Sequence, residues 1–62
     1  MNISYKVRYI NTDNDDVIVN IYNIEEAKQL YKTLLDNNYK NVKFFIVNNQ
    51  ETELSYNELF EK

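Results

Sequence analysis

Glycine, proline, histidine, cysteine and tryptophan are all missing from this chain of 62 residues. Without cysteine there is no disulfide, and without cysteine or histidine there is no ordinary zinc site. Ser4, Ser55 and the threonines have no imidazole to activate them, and a glycine-rich phosphate loop cannot be built. The sequence therefore assigns no catalytic residue, no metal ligand set and no cofactor, and the expectation is a protein that is not an enzyme. Long apolar runs are absent too: nothing approaches a membrane span, and the opening MNISYKVRYI alternates apolar and polar residues instead of forming a signal-peptide core. That predicts a cytoplasmic protein.

What is present has the size of one domain, residues 1–62, with a small core that packing or self-association must stabilise. The formal net charge is −3 with both signs interspersed, which argues against a general nucleic-acid coat. Asn, Lys, Ile, Tyr and Phe are abundant, the pattern of an AT-rich coding sequence. Asn best replaces Gly where the backbone turns left-handed.

Alternation predicts a first strand over Ile3–Ile10, with Ile3, Tyr5, Val7 and Tyr9 on one face. Asn11 to Asp16 is a hairpin turn by composition, and a second strand follows over Val17–Tyr22. Asn23 reads as a helix cap, with Glu26 placed to reach back to it. Ala27, Leu30, Tyr31, Leu34 and Leu35 then recur at helical spacing to about Asp36. Asn38 is placed to take the left-handed exit position, with Tyr39 folding back onto Leu34. A third strand is expected over Val42–Val47, a short edge strand over Glu51–Leu54, and a last helix starting at Ser55 and carrying Tyr56, Leu59 and Phe60.

These elements make an α+β domain of ββαβ(β)α order. Its small, mainly antiparallel sheet of three to four strands has the order 2-1-3, with the main helix on one face. The expected core is Val7, Val19, Phe44, Leu30, Leu34 and their neighbours. Ile10, Ile18, Tyr22, Phe45 and Val47 would face the other way, to be covered either by the C-terminal helix or by a second copy in a homodimer. If left open, that face has the composition of a protein interface.

Three groups of polar residues admit functional readings. Asn11, Asp13 and Asp15 have the alternate spacing of a calcium loop, but Asp16 stands where that loop needs Gly and Tyr22 where it needs Glu. Lys6, Arg8 and Lys43 share the outward face with Tyr22 and Phe45, the mixture of charge and rings that binds single-stranded nucleic acid. The carboxylates Asp13, Asp15, Asp16, Glu51, Glu53, Glu58 and Glu61 offer a surface to a groove built for phosphates.

In size, composition and outline the chain resembles the small orphan proteins of phages and mobile elements in AT-rich bacteria. The MNI start, the DNNYKNV helix exit and the SYNELFEK tail carry the likeness. Some of those proteins are anti-CRISPR or other host-directed inhibitors. The resemblance implies a non-catalytic binder acting in the host cytoplasm, whose partner is another protein, with nucleic-acid enzymes such as CRISPR effectors as the favoured target class. Candidate partner-binding residues are Ile18, Tyr22, Phe45, Val47, Asp13, Asp15, Asp16, Glu51, Glu53 and Glu58. The alternative is weak single-stranded nucleic-acid binding through Lys6, Arg8 and Lys43.

Overall fold

A computed structural model of the chain describes residues 3–60. Strand β1 (Ser4–Ile10) and strand β2 (Asp16–Ile21) form an antiparallel hairpin in which Val7 faces Val19 and Ile10 faces Asp16. Asn11 builds the turn. Its side-chain oxygen accepts from the N–H groups of Asp13 and Asp15, both at 2.9 Å, and its carbonyl accepts from Asn14, which sits at φ 68°. A type I turn closed by a left-handed residue suits the twist of the flanking strands.

Helix α1 (Ile24–Asp36) starts where Asn23 turns its side-chain oxygen onto the N–H groups of Glu25 and Glu26. The two glutamates also place negative charge at the positive end of the helix dipole. Capping runs one way at this end, since Glu26 makes no return bond among the described residues. The exit is a Schellman motif: Asn38 N–H donates to the Leu35 carbonyl and Tyr39 N–H to the Leu34 carbonyl, both at 3.1 Å. Asn38 takes φ 63° there.

Strand β3 (Lys40–Asn48) pairs antiparallel with β1 and carries strand β4 (Gln50–Leu54) on its far side, giving the order β2-β1-β3-β4. It starts earlier than the alternation predicts. The register shifts between Arg8 and Ile10, so that Asn41 and Val42 together oppose Tyr9, and Asn41 adopts φ 54°. This β-bulge lets two more residues join the strand. Asn49, at φ 66°, turns β3 into β4. Every described residue at positive φ is therefore an asparagine, each in a position where glycine is the usual choice.

Helix α2 (Tyr56–Phe60) has a reciprocal capping box. Glu58 N–H donates to the Ser55 hydroxyl, while Ser55 N–H donates to the Glu58 carboxylate at 2.8 Å. Here the structure departs from expectation, because α2 does not cross the outward sheet face. It folds under α1, where Leu59 is buried and the Phe60 ring stacks on Tyr31 at 6.4 Å and 9°. Lys28 sits 5.3 Å above Phe60. The reason is apolar supply: a 13-residue helix cannot cover a four-stranded sheet alone.

The core accordingly differs from the expected one. Val7, Phe44 and Leu34 are buried as predicted, with their helix-face neighbours Ala27 and Tyr31, but Leu59 of α2 completes the cluster, while Leu30 and Val19 are only half-buried. Val19 lies on an edge strand, beyond the footprint of α1. Tyr31 is the hub, edge-on to Phe44 at 5.8 Å and in contact range of Tyr56 and Phe60.

Candidate protein-interaction face

The outward face of the sheet is set by register alone. Lys6 on β1 lies between Asn20 of β2 and Phe45 of β3, and Phe45 in turn faces Glu53 of β4. One step along, Arg8 lies between Ile18 and Lys43, and in the other direction Ser4 faces Val47, which faces Glu51. No helix among the described residues packs on this side. Tyr22 is 79% exposed and Ile18 50%, but Phe45 and Val47 are half-buried.

Their cover is an ion pair. The Lys6 ammonium bonds the Glu51 carboxylate, although the two residues stand on β1 and β4 with β3 between them. Two strand spacings of about 4.8 Å separate those backbones, so the side chains must pass over β3 in the row that holds Phe45 and Val47. The apolar lysine stem shields the rings and methyl groups while its charge reaches the acid at the edge. Sequence reading treats Lys6 and Glu51 as separate candidates; the register makes them a single strap.

Arg8 and Asp16 form the second pair, with Arg8 Nε donating to Asp16 Oδ1 at 3.0 Å and a terminal nitrogen bonding Oδ2. Hydrogen bonding from Arg8 holds the Asp16 carboxyl below the usual range, and the carboxylate raises the guanidinium. Asp16 is thus a β2 residue paired across the hairpin, not a free loop acid. A shallow cleft of about 230 Å³ opens beside this pair at the bulge, lined by Arg8, Ile10, Asp16, Asn41 and Lys43.

The basic trio expected to hold single strands is therefore largely spent: Lys6 and Arg8 are tied to acids, leaving Lys43 without an ion pair among the described residues. The acids do not form one surface either. Asp13 and Asp15 stand at the β1–β2 turn, whereas Glu51 lies near the β3–β4 turn, about 20 Å away along the strands. Glu58 caps α2 on the helix side, and Glu61 lies outside the described residues. Among the described residues no three acidic side chains gather as a metal site, and the Asn11 oxygen, the first position of the calcium-loop spacing, already accepts two N–H groups.

A larger cleft of about 610 Å³ lies between the β1–β2 turn and the end of α1, with Asn11, Asn14, Asn37, Asn38 and Thr33 on its walls. Its amides are structural: Asn37 donates to the Thr33 carbonyl at 2.7 Å and Asn11 holds the turn. Burial raises the Tyr31 hydroxyl above the ordinary phenol range, with Glu53 and Tyr56 adding to the rise. No helix among the described residues is long and apolar enough to cross a membrane. Compared with protein-family models, curated proteins and solved structures, the chain matches none of them.

Proposed function

We propose that this chain is a non-catalytic protein-binding module that docks its partner on the outward sheet face. The observation that carries the reading is the placement of α2: the C-terminal helix is consumed in the core, so Ile18 and Tyr22 stay exposed and Phe45 and Val47 lie under a single ion pair. Ile18 of β2 with Tyr22 just past its end, and Phe45 and Val47 of β3, make two apolar clusters on either side of the polar row Ser4, Lys6 and Arg8 of β1, a mixture of rings, aliphatic groups and charge that protein interfaces use.

Among the described residues the charge left unpaired on and around this face is Asp13, Asp15 and Glu53 against Lys40 and Lys43, a small acidic excess. That favours a basic partner surface, such as the groove of an enzyme that handles nucleic acid, and a mode of action in which the module occupies that groove as an inhibitor or modulator. A phage or mobile-element source, with action in the host cytoplasm, fits this reading.

The test is retention of a partner from nuclease-treated host lysate by the wild type and by Ile18→Asp and Tyr22→Ala variants. The expected result is a protein retained by the wild type and lost with either variant. Loss of all retention after nuclease, with salt-sensitive binding to single-stranded oligonucleotides that depends on Lys43, would replace this reading with the nucleic-acid one.

A further inference from the structure

The two edges of the sheet are not alike. β4 is short, carries Glu51 and Glu53, and leads directly into α2. β2 is an uninterrupted run, Asp-Val-Ile-Val-Asn-Ile, without lysine, proline or bulge. Edge strands ordinarily carry such devices because an open ladder of N–H and C=O groups pairs with whatever strand it meets.

The phase of that ladder is readable. Asn11 N–H donates to the Asp15 carbonyl at 2.9 Å, which makes Asn11 and Asp15 a hydrogen-bonded pair. Antiparallel pairs alternate, so Tyr9–Val17, Val7–Val19 and Tyr5–Ile21 also exchange their hydrogen bonds. Asp16, Ile18 and Asn20 consequently point their backbone N–H and C=O groups away from β1, along the open edge.

We infer that β2 is a self-pairing edge: two copies of the chain join antiparallel through β2 about a twofold axis at Val19, making one eight-stranded sheet. In this register Ile18 and Asn20 of one copy exchange hydrogen bonds with Asn20 and Ile18 of the other. It is the ladder-compatible register that pairs the whole of residues 16–22. On the inner face it sets Val19 against Val19 and Val17 against Ile21, β-branched pairs that stabilise sheets. Those three residues are only half-buried in the single chain, while Val7 and Phe44 in the neighbouring strands are fully buried. The half-exposed apolar row thus ends at the seam where a second copy would continue it, and Ile24 flanks it at 41% exposure.

Charge permits the match. Asp16 is the one charged residue of β2, is already paired with Arg8, and falls opposite Tyr22 of the other copy, so within the paired strands no like charges face each other; Asp13 and Asp15 of the turn lie beyond the strand, toward the helix start of the other copy. Self-pairing is favoured over capture of an unrelated strand because the edge complements itself in backbone phase, side-chain shape and charge at once. The seam is small for a stable interface, so dimerisation is expected to be weak and concentration-dependent.

The experiment is amide exchange followed residue by residue across a wide concentration range, with mass from light scattering. The Ile18 and Asn20 amides are expected to exchange freely in dilute protein and to become protected as the mass doubles. Synthetic chains N-methylated at Ile18 or at Asn20 lose one outward donor without touching the β1–β2 ladder, and should remain folded monomers. Three results would overturn self-pairing: a monomer with freely exchanging Ile18 and Asn20 amides at the highest concentration, a dimer that survives N-methylation and so pairs elsewhere, or protection that appears only when a foreign strand is added.

Discussion

Leu59→Ala tests the placement of α2 most directly. Leu59 is 8% exposed and reaches the cluster of Val7, Ala27, Tyr31, Leu34 and Phe44 from a helix of five residues. Truncating a buried leucine costs about 2–5 kcal/mol, the spread reflecting how far the site collapses. Here the lower end applies, because a one-turn helix near the chain end moves inward more easily than a strand, and about 2 kcal/mol is the expected loss. A domain of this size shifts its midpoint by about 4–8 °C per kcal/mol, so the thermal transition should fall by about 8–16 °C. That is a large part of the total, since a 62-residue chain belongs near the low end of about 5–15 kcal/mol.

A second readout separates loss of α2 packing from general weakening. The Tyr31 hydroxyl titrates high chiefly because it is buried. Loosening α2 admits water beside the Tyr31 ring, and its titration should move back toward that of an ordinary phenol while the protein is still folded. Ile18→Ala, at an exposed position, should leave both readouts within about 0.5 kcal/mol of wild type. If Leu59→Ala leaves the midpoint and the Tyr31 titration unchanged while Ile18→Ala lowers stability, α2 covers the outward face after all.

Two further outcomes follow from the turns and the ion pairs. Asn38→Gly should keep or slightly raise stability, whereas Asn38→Ala should lower it by about 1 kcal/mol, because the left-handed conformation at φ 63° is unfavourable for alanine; urea midpoints decide between them. The Asp16 carboxyl is depressed in the folded state, so its pairing with Arg8 contributes above the unfolded value near pH 4 and is lost as pH falls through the lower folded value. Asp16→Asn should flatten the acid limb of stability against pH, and an unchanged limb would show that the exposed pair contributes nothing.

Local chemistry made most of the fold legible. The hairpin, the Asn23 and Ser55 caps and the Asn38 exit are decided by residues within a few positions of one another, and each formed where the residue types require it. Alternation begins only at Val42, so it does not reveal the bulge at Asn41. The signal was present: an asparagine beside a strand in a chain that uses asparagine wherever the backbone turns left-handed. The position of α2 was not legible, since Tyr56, Leu59 and Phe60 would serve as an apolar cover on either face. What decides between the faces is how much sheet α1 leaves uncovered, and that is a tertiary quantity.

The candidate surface was half legible for the same reason. Alternation placed Ile18, Phe45 and Val47 on one face, but whether Lys6 lies free or braced depends on β4 standing two strands away, with Glu51 in reach. The strap reconciles two demands on the outward face. It keeps Phe45 and Val47 from water in the free protein, which an exposed sheet of this composition needs to stay soluble. An ion pair at a solvent-facing site holds with only about 0–1 kcal/mol, so a partner that brings apolar surface to Phe45 displaces the lysine stem at small cost. Asp16 and Arg8 brace the opposite corner in the same manner, leaving the exposed Ile18 and Tyr22 beside the open edge of β2. If two copies pair along that edge, their outward faces join into one platform, and the weak seam makes the size of that platform a function of protein concentration.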